Sequence, residues 1–447
     1  MSTHRGRFPK SVKSLTLRGA CLLVVLIAWD AGAQSSNAAA VDGLSLKLEA
    51  AVESALRHNP GLAGLEAQAE ALRSFEPQAG ALPDPVLALN ALNLPTDTFD
   101  LDQEPMTQVQ LGLSQHFPFP GKRKLRRAAA QFETRAAEAR VSERRAELTA
   151  SVRGAWWRLY YVDRALEIVS QNQNLMRNFV DIAQTRYRVG EGLQQDVLLA
   201  QLELSRLLDR ELRLKGMRRK GQADLNALLD RPADRALLLA SEAPNVRLPE
   251  LPAEADIYHH AIESRALLAV HRELLEAADA RLALARKDVL PDFRLGAGYG
   301  YRQGDDPVRG GDRADFFSVM LSVNVPLYFG SKQSKAIEQR THERSQRNFS
   351  LSDSFRSVQT AIARSVADYN AAREQVMLLD TAIIPQAQQT VASMLAGYRV
   401  NEVDFLNVMN GQLMLYNAQI NYWEAFSDAK RSLANVAATS GMEALYE

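Results

Sequence analysis

Apolar residues recur through the middle of the chain at alternating spacings of four and three. The series runs Leu148, Val152, Ala155, Leu159, Val162, Leu166 and Val169, then Met176, Val180, Ala183 and Tyr187, with one polar slip at Gln173. A sustained heptad of this kind predicts a helix packed in a coiled coil. No proline lies between Pro120 and Pro232. One helix over residues 122–187 is therefore expected, ~100 Å long at ~1.5 Å per residue. Phe355, Val358, Ile362, Val366, Tyr369, Val376, Leu379 and Ile383 follow a similar rhythm, and Pro385 is expected to kink that second helix. Returning helices are expected over 194–229 and 403–438. Shorter helices are expected over 44–58 and 61–79, separated by Asn59-Pro60 and stopped by Pro83 and Pro85.

The pattern changes to period two in four runs: 86–94, 107–117, 294–302 and 316–325. In the second run Val109, Leu111 and Leu113 alternate with Gln108, Gln110, Gly112 and Ser114. Such alternation belongs to a strand with one apolar and one polar face, as between lipid and water. The loop 95–106 carries Asp97, Asp100, Asp102 and Glu104, and the loop 303–315 is rich in Gly and Asp. Tyr299, Tyr301, Phe316 and Phe317 cluster at the loop-proximal ends, where a membrane barrel places its aromatic girdle. Period-two runs also fit surface hairpins of a soluble protein, so the strands alone leave both readings open.

The elements occur twice. Residues 187–204 (YRVGEGLQQDVLLAQLEL) align with 398–415 (YRVNEVDFLNVMNGQLML) without a gap, at an offset of 398 − 187 = 211. Leu82-Pro83-Asp84 matches Leu290-Pro291-Asp292, and Pro118 matches Pro326, both at an offset of 208. A one-residue insertion then sets Gly121 opposite Gly330. Each repeat reads helix, strand, loop, strand, very long helix, turn, helix. The expected boundaries are 34–230 for the first repeat, 231–252 for a linker with four prolines, 253–438 for the second repeat and 439–447 for a tail. Within the linker, Ala236 to Leu239 has the content of a helical turn.

Composition narrows the function. The chain of 447 residues has 53 basic and 53 acidic side chains, without the basic excess of a nucleic-acid-binding protein. No internal run reaches the ~18 apolar residues of a membrane helix. Residues 1–33 read as a secretory signal: basic Arg5, Arg7, Lys10, Lys13 and Arg18, an apolar run, then Ala31-Gly32-Ala33 as a cleavage site. Cys21 precedes the apolar run, which argues against a lipoprotein signal, and cleavage after Ala33 leaves no cysteine. That fits an extracytoplasmic compartment.

Four strands cannot close a membrane barrel, since the smallest have eight, and open strand edges do not sit in lipid. If the strands span a membrane, several chains share one barrel, and three chains supply twelve. The expected fold is thus mixed α/β and mainly α. A long antiparallel coiled-coil tunnel joins four β-strands per chain, one third of a twelve-stranded trimeric transmembrane barrel.

The duplication, the paired LPD landmarks, the FPFPGKRK and VPLYFGSK junctions, Ile383-Ile384-Pro385 and the two tip motifs come in an order and spacing that resembles the TolC-like family of trimeric outer-membrane efflux channels. The resemblance covers about 44–438. The FPFPGKRK junction, with Met106-Thr107-Gln108 upstream, looks most like the heavy-metal branch of that family. It implies a homotrimer in the outer-membrane lipid with a periplasmic helical tunnel. It further implies a periplasmic adaptor at the tips and an inner-membrane pump of the RND type behind the adaptor. Tyr187, Arg188, Val189 and Gly190, with Tyr398, Arg399, Val400 and Asn401, match the adaptor-docking turns. Asn401 stands where the first repeat has Gly190, and Asn tolerates the left-handed conformation best after Gly. The resemblance also implies a constriction near the tip, often an acidic ring. Asn407 and Asn410 occupy the positions that usually carry those acids, which leaves Asp196, Glu402 and Asp404 as candidates for the charge. The bland reading is that they are solvated helix-end carboxylates favoured by the helix dipole.

Other chemistry is not indicated. The seven histidines are scattered, no cysteine or His-x-x-x-His pattern suggests a metal, and Met394, Met409 and Met414 have helix-packing spacing. No phosphate-binding loop, nucleophile elbow or dinucleotide fingerprint appears, so neither an enzyme nor a cofactor is expected. Lys122-Arg123-Lys124 with Arg126-Arg127 is a basic run below a strand, and a solvated helix start is its simpler reading over contact with anionic headgroups. The reading is a passive exit duct, with drugs, metal cations and secreted polypeptides as open cargoes. The rival is a soluble periplasmic coiled-coil scaffold or adaptor. A continuous apolar band across the strands would separate the two.

Overall fold

The computed structural model describes residues 45–240, 247–306, 308–400 and 402–446. The expected signal segment, Cys21, the leader to residue 43 and Asn401 lie outside the described residues. Helices α1 (Leu48–His58) and α2 (Pro60–Gly80) lead into strands β1 (Val86–Leu92) and β2 (Gln108–Phe117). Helices α3 (Lys122–Arg188) and α4 (Gln194–Leu228) follow. The order then recurs as α5 (Glu254–Ser264), α6 (Ala266–Lys287), β3 (Phe293–Tyr301), β4 (Phe316–Val323), α7 (Gln333–Leu378), α8 (Ile384–Arg399) and α9 (Phe405–Ser440).

Helix α3 has 67 residues, so it is ~100 Å long. Its heptad positions Leu148, Val152, Leu159, Val162, Val169, Met176, Val180 and Ala183 are buried. Gln173 is buried as well, and its amide donates to the Glu211 carboxylate at 2.8 Å. The polar slip is thus a satisfied link between α3 and α4. Helix α3 packs on α4 and α9, and α9 packs on α7 and α8. The long columns therefore run α4, α3, α9, α7–α8, with α4 and α7–α8 outermost. Pro385 does not break its column. A π turn, Leu379–Ile383, precedes it and keeps the backbone helical, a common way to place a proline whose amide cannot join the ladder.

An aromatic cluster joins α3 to α9 at mid-length. Trp157 meets Phe426 with ring centroids 5.5 Å apart, and Tyr160 meets Trp423 at 5.8 Å. The Trp156 indole donates to the Leu46 carbonyl at 3.1 Å, and the Trp157 indole to the Tyr446 hydroxyl at 2.6 Å. Both ends of the described chain are held there. The expected helical turn at 236–239 is absent. Leu239 instead forms a parallel bridge with Leu46. Leu237 and Leu239 point inward while Leu238 is exposed, which is strand periodicity. Arg218 and Asn226 take the Leu237 and Arg235 carbonyls, so those acceptors are held away from any helical turn.

The strands form one antiparallel sheet in the order β1-β2-β3-β4. Leu89, Leu111, Tyr299 and Phe317 form one row across it, and Leu87, Leu113, Ala297 and Val319 the next. The large side chains of both rows are exposed, Leu89 at 73% and Phe317 at 73%. The apolar band that separates a barrel from a scaffold is therefore continuous over all four strands. The opposite face carries Gln110, Ser114 and the β3 glycines. A Cβ at Gly298 would stand 2.6 Å from the Gln110 amide nitrogen, so glycine there lets the amide cross the polar face. Phe316 departs from the expected aromatic girdle. It pairs with Gly300 on the polar face, its ring 4.3 Å beneath the Arg302 guanidinium.

Candidate functional sites at the helical tips and the strand–helix junction

The first tip closes α3 by a Schellman turn. The Glu191 amide donates to the Arg186 carbonyl at 2.8 Å and the Gly190 amide to the Tyr187 carbonyl at 3.1 Å. Gly190 takes φ 80°, the left-handed residue that this motif needs. The second tip repeats the outer bond, with the Glu402 amide donating to the Gly397 carbonyl at 2.9 Å. Val189 and Val400 are each 65% exposed. Tyr187, Arg188, Gly190 and Arg399 are exposed too, whereas Tyr398 is half-buried.

Tyr398 is half-buried because it joins the tips. Its ring lies 6.0 Å from that of Phe405, which meets Phe179 at 5.8 Å. The Arg186 guanidinium sits 4.9 Å from the Tyr398 ring centroid and bonds its hydroxyl. A cavity of about 250 Å³ lies between the tips, lined by Arg186, Glu191, Asp196, Tyr398, Asp404 and Phe405 among others. Three carboxylates face one guanidinium there, so the cavity favours cations. Of the candidate gate residues, Asp196 and Asp404 are brought together here. Glu402, Asn407 and Asn410 are exposed and do not line it. Arg186, Glu191 and Phe405 were not among the candidates. The repeat could not flag Arg186, because its mate is Gly397 (186 + 211). Among the described residues, no group of three His, Cys, Asp or Glu side chains converges in a metal-holding arrangement.

The basic run at the start of α3 is not a uniformly solvated helix end. Lys122 is 2% exposed. Its ammonium donates to Asp292 at 2.8 Å and to the Leu290 carbonyl at 2.9 Å. The Phe119 amide donates to the same Asp292 oxygen at 2.7 Å. Arg123 donates to the Gly80 carbonyl at 2.8 Å. Only Lys124, Arg126 and Arg127 remain exposed without a role in this knot. The second LPD landmark is thus the acceptor that ties the first repeat's strand–helix junction to the second repeat. Asp84, its mate in the first landmark, is exposed.

Comparison with known proteins agrees with this architecture. The model of the family described as outer membrane efflux protein matches in two segments, residues 51–231 and 257–442. The alkaline protease secretion protein AprF of Pseudomonas aeruginosa is 23% identical over 261 residues, 57% of this chain and 53% of that one. The outer membrane efflux protein BepC of Brucella suis is 25% identical over 276 residues, 61% of this chain and 59% of that one. The chain thus spans somewhat over half the length of these relatives. The outer membrane protein VceC of Vibrio cholerae has the same fold, with a TM-score of 0.72 at 21% identity over 88% of this chain and 96% of that one. With a duplicated family match, four antiparallel strands and a long helical column, the chain belongs to the outer membrane efflux protein family, TolC-like channels set in the outer membrane with their helices in the periplasm.

Proposed function

We propose that three copies of the chain form a passive exit duct of a tripartite efflux system of the RND type. The observation that carries this reading is the sheet. It has an exposed apolar face and two unpaired edges, and open edges are not tolerated in lipid. Three copies supply 3 × 4 = 12 strands, an even number in the range of membrane barrels. The apolar band meets lipid, and the helical columns continue the pore through the periplasm. Substrate passes from an inner-membrane pump through a periplasmic adaptor, and the duct itself performs no chemistry. The adaptor docks on the exposed turns around Val189 and Val400, two apolar mates with equal exposure. Within this reading the FPFPGKRK junction favours heavy-metal cations as cargo, and loss of the gene should then sensitise cells to metal salts rather than to drugs. Fractionation tests the duct. A heat-modifiable species with three times the chain mass, extracted from the outer membrane only by detergent, is expected. A soluble periplasmic monomer would reject it.

The constriction in this reading is the carboxylate set of Asp196 and Asp404 with Glu191. A unit charge ~4 Å from an ion in a water-like medium contributes ~1 kcal/mol, about fivefold in ion occupancy. Joint Asp196→Asn and Asp404→Asn replacement removes two such charges per chain and should therefore lower the cation-to-anion permeability ratio of single channels by at least about fivefold, and by about 25-fold where both act at that distance. Glu402→Gln should leave it unchanged. An unaltered ratio in the double variant would remove these residues from the gate.

A further inference from the structure

We propose that β4 of one copy pairs antiparallel with β1 of the next copy in a fixed register: Leu321 opposite Leu89, Ser322 opposite Ala88 and Val319 opposite Ala91. The proposal rests on the duct reading and adds to it the residues that close the wall.

The argument comes from the duplication. In the first hairpin Val86 faces Ser114, and in the second Arg294 faces Ser322. Since 86 + 208 = 294 and 114 + 208 = 322, the second hairpin is the first displaced by 208 residues, with no slip. The two hairpins meet inside the chain along β2 and β3, where Leu113 faces Ala297 and Ser114 faces Gly296. This is an interface between a first hairpin and a second. The free edges β4 and β1 are the mates of β2 and β3. Carrying the internal register onto them sets 113 + 208 = 321 opposite 297 − 208 = 89, and 322 opposite 88.

Several features agree with this register. Side-chain parity is kept, so Leu321 and Leu89, 68% and 73% exposed in the single chain, continue the apolar band. The row Leu89–Leu111–Tyr299–Phe317 arrives at Asn93 of the next copy, a displacement of 93 − 89 = 4 residues per copy. For a twelve-stranded barrel that corresponds to a strand tilt of ~35°, at the lower end of the usual range. The helical columns obey the same rule. Inside the chain α3 packs on α9, and their mates are α7–α8 and α4. Helix α4 leaves Leu198, Leu202 and Leu212 exposed, and the α7 end and the π turn leave Met377, Leu378 and Ile383. These two uncovered stripes then meet across the seam. Asp84 is brought to the Ser331-Lys332 junction of the neighbour, as Asp292 is to Lys122 within the chain.

Cysteine pairs in the full chain test the register, in a Cys21→Ser background that leaves no other cysteine. Within one chain β1 and β4 stand three strand spacings apart, ~14 Å, too far for a disulfide. Any Ala88→Cys/Ser322→Cys bridge is therefore between copies. Outer membranes carrying that pair should give covalent dimers and trimers after oxidation, reversed by reductant. Ala88→Cys/Met320→Cys and Ala88→Cys/Asn324→Cys, slipped by two residues on the same face, should give at least about tenfold less. A detergent-extracted trimer in which a slipped pair links best, or in which none links, overturns the seam and leaves the duct standing. A protein that never enters the membrane as an oligomer overturns the duct reading, and the seam with it.

Discussion

Replacing Lys122 with alanine is expected to destabilise the protein by about 3–5 kcal/mol, the usual cost of breaking a buried ion pair from one side. The magnitude follows from what remains. Asp292 is 17% exposed and keeps the Phe119 amide, but it loses its ammonium partner. Its charge would then sit beside the Leu290 carbonyl, which also loses its donor. The damage would fall where β2 turns into α3 and where the two repeats are tied together. Asp292→Asn should cost less, because the amide still accepts from Phe119 and Lys122 although the charge is gone. Lys122→Met with Asp292→Asn should recover part of the loss, since the buried pair is then neutral and the remaining partner of the ammonium, Asp288, is exposed enough to be solvated. Denaturant unfolding of the detergent-extracted protein, as a double-mutant cycle, reads all three. A loss below about 1 kcal/mol for Lys122→Ala would mean that water reaches the knot and the pair is a surface one.

The same knot shows what was legible in the chain and what was not. The long helices were legible because a heptad is local: each buried position of α3 sits three or four residues from the last. The strands were legible because a period of two survives over seven to ten residues, and the constant offset of 208 foreshadowed the identical hairpin registers. Lys122 was not legible. A lysine in a basic run reads as solvated, and its burial is made tolerable from far along the chain, by Asp292, the Leu290 carbonyl and Asp288 at 3.4 Å. The 236–239 segment misled for a related reason. Three leucines in a row suit a helix or a strand, and Arg218 and Asn226, on another element, decided between them. At the tips, Asp196 and Asp404 stood out as charged residues beside a recognised turn. Arg186 did not, because its role depends on a tyrosine from the other repeat.

The stability of the wild-type protein is expected to rise as pH increases from about 8 to about 10, by up to about 3 kcal/mol, and Lys430→Met should abolish that rise. Lys430 is 1% exposed on α9. Its ammonium meets the Arg247 carbonyl at 2.7 Å and the rings of Trp157, Phe426 and Tyr446 at 5.8–5.9 Å from their centroids. One carbonyl and three ring faces do not replace a hydration shell, and burial pushes the group down to about 8. The sign follows from proton counting. Below pH 8 both folded and unfolded chains hold the proton, and the folded state carries the full penalty of a buried charge. Between 8 and about 10.4 the folded chain releases it while the unfolded chain keeps it, so the unfolded state binds more protons and stability climbs. Burial also pushes Tyr369 and Tyr446 up to about 12. These tyrosines act in the opposite direction, and only above pH 10, where the unfolded chain ionises first. The two effects together predict a stability maximum near pH 10. Near neutral pH Lys430→Met should change little, because relief of the buried charge is offset by loss of the hydrogen bond to the Arg247 carbonyl and of the ammonium's contacts with the three rings. The slope between pH 8 and 10 is therefore the diagnostic quantity, measured as urea midpoints of the two proteins in the same detergent. Equal slopes would show that Lys430 keeps its proton in the folded protein throughout that range, and that the aromatic cage solvates the ammonium far better than its geometry implies.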